Sequence, residues 1–474
     1  MHSEANSLST SSVLVVGGGL AGMAAAISLR QKGFRVHLLE SRRRLGGRAG
    51  SFEDTISEKT IDYCQHVGMA CCTSLMWFLQ TLEIDSEWER QGVLHFYSSD
   101  GTHLPVKASF LPAPLHLSGL LSRWPDIGIR DRVQVACGLW KLMRLKNSPS
   151  LDDIQALQWL RSIGQSERVI TRFWATILVS ALGDQIDRVT LAATRKVLID
   201  GFVANRDAYN LLIPRRPLSE MIGDRGARYL ERSGITIEYG VTVEECRWHE
   251  GRCCSVVSRD GREFKANHFV LAVPWHRLPQ MIENQCNVEP VKQLQSAPIT
   301  GVHTWWDRPW MDNPHAILID RLCQWVFKEP LQSVTKNNDL SVKEHYYQIV
   351  ISGSRDLPRG DTSEVLKLVA EDLAEIFPEA GKAQLLRGRV VTDPNSVFSV
   401  SPDHQRSRLA SDQFADKNIW LAGDWTETQW PATMEGAIRS GLNAANSLGS
   451  IAYNMPRHVV ADLPRGRLAR YLIA

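Results

Sequence analysis

The sequence carries almost no net charge: 54 Lys and Arg stand against 52 Asp and Glu, leaving +2 over 474 residues. A surface so balanced projects no field toward a phosphate backbone, so no nucleic-acid partner is expected. It has no Cys-x-x-Cys pair. Its nine cysteines (Cys64, Cys71, Cys72, Cys137, Cys246, Cys253, Cys254, Cys286 and Cys323) are odd in number and irregularly spaced, which argues against a zinc site or a disulfide framework and for reduced thiols in a cytoplasmic compartment. No metal site is expected. No apolar run reaches the roughly 18 residues that would read as a membrane span. The opening MHSEANSLSTSS has no basic head followed by an apolar core, and so does not read as a signal peptide. Internal repeats and low-complexity tracts are also missing.

What remains is ordinary globular material, 43% hydrophobic and 22% charged, long enough for two well-buried cores. Val13–Gly17 is a short continuous apolar run, as in strands buried on both faces of a parallel sheet. Leu20–Lys32 is alanine-rich and reads as a helix ended by Gly33, followed by a strand from Phe34 that Glu40 closes. A second stretch of strand character spans 235–274, with turns at His249–Gly251 and Asp260–Gly261. A third, 418–448, reads as strand, loop and helix. These pieces imply one discontinuous nucleotide-binding domain (12–91, 206–276, 412–452). The inserts 92–205, mostly helical by pattern, and 277–411, with strands at Ile299–Trp306 and His345–Ser352 and a helix at Ser363–Ile376, imply an interleaved α+β substrate domain. The fold class is therefore α/β with a Rossmann-like cofactor domain. Residues 453–474 are basic and poorly patterned, and a loosely held tail is expected there.

Gly17-Gly18-Gly19-Leu20-Ala21-Gly22 contains Gly-x-Gly-x-x-Gly. Gly17 permits the tight turn, Gly19 lets backbone approach a pyrophosphate, and Gly22 lets helix and strand pack closely. The helix start offers free N–H groups and a positive dipole end to phosphates. Glu40, about 20 residues on at the end of the second strand, is placed to accept hydrogen bonds from a ribose diol. The double glycine Gly46-Gly47, flanked by Arg44 and Arg48, reads either as a second phosphate contact or as a basic surface turn. Only one such glycine motif occurs, so no separate nicotinamide domain is expected and the external electron donor or acceptor is not readable.

Together these residues resemble the FAD-binding signature of the amine oxidase and phytoene (carotenoid) desaturase flavoprotein superfamily, whose cofactor domain is of the glutathione reductase type. The late run Leu421-Ala422-Gly423-Asp424-Trp425, followed by Thr433-Met434-Glu435-Gly436-Ala437, matches the same superfamily. The resemblance implies FAD as cofactor. It implies Arg48 beside the pyrophosphate and ribitol, Gly423 and Asp424 at the ribitol phosphate, Met434 beside the isoalloxazine ring, and Val243 at the adenine. Amine oxidases of this fold often carry a tyrosine before Met-Glu-Gly-Ala; Thr433 stands there, as in the desaturase branch.

Ile61-Asp62-Tyr63-Cys64-Gln65-His66 resembles the Asp-x-Gly-Gln-His segment of the hydroxysqualene dehydroxylases, as do 111–117 and 302–309. Cys64 replaces that family's usual glycine, which would be strained if positive φ is needed. The resemblance implies reductive removal of a hydroxyl from hydroxysqualene to give squalene, with an isoprenoid substrate. A phytoene-type desaturase, a flavin amine oxidase and a non-catalytic prenyl-chain carrier are the alternatives; the intact cofactor residues speak against the last. The reaction needs a proton for the leaving oxygen. His66 is the first candidate to donate or orient it, against a purely structural histidine. Asp62 either positions His66 or caps a turn, and Glu435 reads as structural. Trp305, Trp306, Trp310, Trp425 and Trp430 read either as the lining of an apolar tunnel, with π-faces that stabilise cationic character, or as core, and core is the expectation for most of them; Trp430 alone is singled out, for its place before the flavin motif. Residues 107–147 mix apolar and basic side chains. They read either as a peripheral contact with the inner face of the cell membrane or as substrate-domain helices with solvated lysines.

Overall fold

The computed structural model describes residues 11–328, 344–358 and 360–474; residues 1–10 of the polar amino-terminal segment lie outside these. The apolar run condenses into the strand Ser12–Val16, buried at Val13 through Val16. It lies at the centre of a five-stranded sheet ordered Thr236–Tyr239, Arg35–Glu40, Ser12–Val16, His268–Leu271, Ile419–Leu421. Every pairing is parallel. A sheet of this kind needs both faces covered. The alanine-rich helix Leu20–Gln31 packs against the sheet and against the late helix Met434–Tyr453. The two helices touch backbone to backbone: a Cβ on Gly441 would sit 2.1 Å from the Ala21 carbonyl oxygen. A three-stranded antiparallel meander, Val243–His249, Arg252–Ser258 and Glu263–Lys265, carries the two expected turns.

Among the described residues the second sheet has seven strands, ordered Leu385–Phe398, Ser296–Trp306, His345–Ser352, Trp325–Lys328, His315–Leu318, Leu94–Tyr97, His103–Val106. Its pairings are antiparallel except that between His315–Leu318 and Leu94–Tyr97. The first insert thus opens with two strands before it becomes helical. Helix Thr362–Ile376 buries Val365, Val369, Leu373 and Ile376, which pack with Val302, Ile349 and Ile351 of this sheet. Trp305, Trp306 and Trp310 are core residues. A further small sheet joins Gly68–Met69, Leu211–Pro214 and Trp88–Gln91; strands of two to four residues left no alternation to read.

The last residues are held, contrary to expectation. The Gly466 N–H donates to the Ala204 carbonyl (2.8 Å) and the Ala474 N–H to that of Met143 (2.9 Å). The Arg195 guanidinium donates to the Ala474 oxygen (2.9 Å), and Ala469 and Ile473 are buried. Backbone hydrogen bonds and two buried side chains leave no periodic signature, so the pattern was silent. Among the described residues no helix is long and apolar enough to cross a membrane.

Candidate cofactor and substrate site

The glycine turn is fixed from behind. The Gly17 N–H donates to the Leu39 carbonyl (2.8 Å), and the Gly18 N–H to Glu40 Oε2 (2.6 Å). Glu40 Oε1 accepts from the Arg42 N–H (2.7 Å) and Ser41 Oγ (3.1 Å), so this buried carboxylate is clamped between two turns with one acceptor site, on Oε2, left for a ribose hydroxyl. Gly22 lies behind the groove, against Gly17. Gly46 and Gly47 do not form a surface turn. The Gly46 N–H donates to the Gly18 carbonyl (2.9 Å), and a Cβ on Gly47 would lie 3.0 Å from the Gly19 Cα. The Val241 N–H donates to the Glu40 carbonyl (3.0 Å), which brings Val243 to the same rim.

The far end of the chain closes the groove. Arg48 Nη2 meets Asp424 Oδ1 at 2.5 Å, and Arg48 Nη1 donates to the Ser396 carbonyl at 2.6 Å. The Gly423 N–H donates to Ser440 Oγ (2.7 Å) at the foot of the late helix. Thr433 caps that helix, its Oγ1 accepting from the Gly436 N–H (3.1 Å). Met434 lines the groove beside it. Glu435 is structural, as expected: its carboxylate accepts from the Ser74 and Leu75 N–H groups (3.1 and 2.7 Å) and pairs with Arg439 (2.5 Å).

The groove opens without a break into a chamber; together they enclose about 890 Å³. Beyond the glycine turns the walls are apolar, formed by Leu94, Phe96, Ile177, Phe202, Ile317 and Trp325. These come from the second sheet and the helices of the first insert, and no local motif marks them. Trp425 lines the cavity and is also fully buried; Trp430 lines it too, its ring lying under Lys196 Nζ (4.4 Å) and near the Arg439 guanidinium (5.0 Å). Its π-system is therefore already engaged by cations of the protein.

His66 also lines the cavity. Its Nδ1 lies 2.9 Å from the Cys64 carbonyl oxygen, so Nδ1 carries the hydrogen. Burial pushes its pKa down, against the pull of that carbonyl, and nearby Arg48 adds to the fall. In the neutral ring Nε2 then offers a lone pair, not a proton. Asp62 does not orient His66: its Oδ1 accepts from Ser51 Oγ (2.5 Å) and the Leu218 N–H (2.9 Å), and it is not part of the cavity wall. It ties the 51–62 hairpin to the segment after Leu211–Pro214. Cys64 is not among the residues with positive φ, so no strain arises there. Instead the neighbouring sheet makes room: Gly301 lies under the Tyr63–Cys64 backbone, where a Cβ would meet the Tyr63 carbonyl at 2.8 Å. Among the described residues no group of three or more His, Cys, Asp or Glu side chains is placed to hold a metal ion.

The extended groove, its backbone N–H groups, a buried carboxylate at one end and an Arg–Asp pair at the other fit a flavin dinucleotide. Comparison with known proteins agrees. A family model described as flavin containing amine oxidoreductase matches residues 20–448. A 15-cis-phytoene desaturase of Capsicum annuum is 22% identical, over 92% of this chain and 77% of its own. A hydroxysqualene dehydroxylase of Sinorhizobium fredii is 23% identical, over 92% of this chain and 97% of its own. Among solved structures, cyclohexylamine oxidase from Brevibacterium oxydans aligns with a TM-score of 0.65 at 17% identity, covering 93% of this chain and 99% of that one.

Gly19 has extended backbone (φ −73°, ψ 178°), and the nearest atom to a Cβ there is 3.9 Å away, so a side chain is tolerated by the fold but projects into the groove. Gly19→Val should fold and purify with less than roughly a tenth of the wild-type flavin, the branch standing in the pyrophosphate's place; a yellow variant contradicts the site. Asp62 gives a pH test. Burial pushes its carboxyl up from 3.8 to about 7, outweighing its hydrogen bonds. The folded state holds that proton to higher pH than the unfolded chain, so ionisation costs stability as pH rises from about 4 to about 7. Asn keeps the acceptor oxygen without the charge. The thermal midpoint of Asp62→Asn should therefore fall less than that of wild type between about pH 4.5 and pH 7.5, with flavin content unchanged; equal falls would show that this carboxyl carries no such penalty.

Proposed function

Because the chain belongs to the flavin-containing amine oxidoreductase family and is an FAD-dependent oxidoreductase, we propose that it acts on a polyisoprenoid and reductively removes the hydroxyl of hydroxysqualene to give squalene. The observation that carries this reading is the apolar chamber continuous with the cofactor groove. Its walls suit a long hydrocarbon with a single polar group, and they exclude the water that would compete at the reacting carbon. The Asp-x-x-Gln-His segment bordering the cavity supports the same reading, as do the hydroxysqualene dehydroxylases among the relatives. Thr433 works as a helix cap and offers no aromatic wall for an amine.

Gly17, Gly19, Gly46 and Gly47 would hold the pyrophosphate, Glu40 and Val243 the adenosine end, and Arg48, Asp424 and Met434 the ribitol and ring. When bound and reduced, the cofactor supplies a hydride. The chain's own task is to orient the alcohol, keep the chamber dry and deliver a proton to the leaving oxygen. Anaerobic incubation of the protein with chemically reduced FAD and hydroxysqualene should yield squalene. If phytoene is instead converted to a longer polyene in the presence of an electron acceptor, with no squalene formed, the desaturase reading replaces this one.

A substrate of this kind resides in lipid, and we place its collection at the cytoplasmic face of a membrane. Phe110, Ile129, Val133, Trp140 and Tyr471 are large apolar side chains left exposed. Residues 107–147 and 453–474 together hold eleven Lys and Arg against three Asp and Glu, in a chain of net charge +2. The terminal segment packs on the end of helix Ile129–Arg144, so the two basic stretches are joined. Apolar side chains among cations suit an anionic lipid surface. The protein should co-sediment with phosphatidylglycerol-containing vesicles more than with phosphatidylcholine alone. Ile129→Ser with Trp140→Ser should weaken that binding about tenfold, from the apolar area lost; undiminished binding removes this surface from consideration.

A further inference from the structure

Reductive loss of a hydroxyl needs an acid, and the groups expected to provide it do not. His66 presents a lone pair, Asp62 is outside the cavity, and burial pushes the Cys64 thiol up to about 12. Glu435 is consumed by two backbone N–H groups and Arg439. Among the described residues the cavity wall contains one lysine, Lys196. It opens a π-helical stretch, Lys196–Val203, from which Val197, Gly201 and Phe202 also line the chamber. Wide helical turns of this kind are energetically poor and concentrate at functional sites. Here the stretch turns four residues toward the cavity within seven positions.

The surroundings of the ammonium are those of a proton donor that can be reloaded. Lys196 Nζ lies 4.4 Å from the ring centre of Trp430, four residues before Met434. Asp200 Oδ2 lies 2.8 Å from it and Asp462 Oδ2 3.5 Å. Asp462 belongs to the terminal segment and also pairs with Arg439. Its side chain is 55% exposed and that of Lys196 16%, so the carboxylate joins a half-hidden ammonium to solvent. Two carboxylates and an indole face flank the amine, while one side of it borders the chamber.

The geometry points to Lys196 as the group that recognises the substrate hydroxyl and protonates it as it leaves. This rests on the dehydroxylation reading. The C–O bond breaks with its electron pair on oxygen, the oxygen departs as water with the Lys196 proton, and the carbon receives the hydride of the reduced cofactor. Alcohol, hydride and proton give hydrocarbon and water. The neutral amine regains a proton from solvent by way of Asp462.

Two variants separate protonation from charge. Lys196→Met removes both. Lys196→Arg keeps the cation and its carboxylate partners but does not release a proton at neutral pH. Binding is read on the oxidised holoenzyme, which cannot turn the alcohol over, as the affinity for hydroxysqualene relative to squalene. Rate is read anaerobically in a single turnover with dithionite-reduced enzyme. In Lys196→Met the preference for the alcohol should vanish and the rate should fall about 10²- to 10⁴-fold, the usual worth of a general acid. Lys196→Arg should keep the preference and lose the rate. The inference is overturned if Lys196→Met retains both, or if Lys196→Arg turns over like wild type, which would reduce Lys196 to a fixed charge. Should Lys196→Met fail to fold, the arginine variant decides alone. A wild-type enzyme that forms no squalene overturns the dehydroxylation reading and this inference together; one that forms it while the variants match it overturns this inference only.

Discussion

The contact between Arg48 and Asp424 is the constraint from which the rest of the molecule follows. Its partners are 376 residues apart in sequence, and Asp424 is buried. A buried carboxylate is tolerable only with its partner in place, so neither half of the groove is stable in its final form without the other. The same convergence is enforced twice more by backbone alone: the Ile419–Leu421 strand completes the parallel sheet, and Gly441 lets the late helix rest on the early one. A long polar slot between two ends of one chain is the result, and a dinucleotide is the ligand whose length and alternation of charge it fits.

What was legible in the sequence was what the backbone does locally. The glycine turn, Glu40 at the strand end and the Gly-Asp run announce themselves because phosphate and ribose are held by N–H groups and carboxylates at fixed spacing. The chamber was not legible. Phe96, Ile177, Phe202, Ile317 and Trp325 meet from separate segments, and nothing distinguishes an apolar side chain facing a cavity from one facing a core. Lys196 was hidden for the same reason, since its partners Asp200 and Asp462 come from its own helix and from the end of the chain. For Asp62 the sequence left two readings open, positioning His66 or capping a turn; in the structure its Oδ1 accepts from Ser51 and the Leu218 N–H, contacts that join separate segments and that no local pattern marks.

The two regions of the cavity divide the work by polarity. Around the glycine turns the Glu40 carboxylate is tied to backbone and Arg48 is paired with Asp424. In the chamber the wall disfavours charge: burial lowers His66 and raises Cys64, and a hydrogen bond with Cys71 together with burial raises Cys72, so each of them stays neutral. A single well-compensated ammonium in such a wall is conspicuous, because an unpaired cation there would be costly. Its compensation arrives partly from residues 453–474. That segment thus backs the cavity wall through Asp462 as well as carrying basic residues on the surface.

The position of the sheet's last strand bears on how the protein is made. Translation proceeds at about 5–20 residues per second, so roughly 20–75 s separate the emergence of Arg48 from that of Asp424. Once made, the His268–Leu271 strand keeps an open edge until Ile419–Leu421 follows, and the apolar face of the Leu20–Gln31 helix lacks its cover until Met434–Tyr453 is made. A fragment that stops short of Asp424 has only one half of the groove and cannot hold the cofactor in it. In a cell short of flavin, the two ends of the newly made polypeptide would be joined by the protein's own contacts alone.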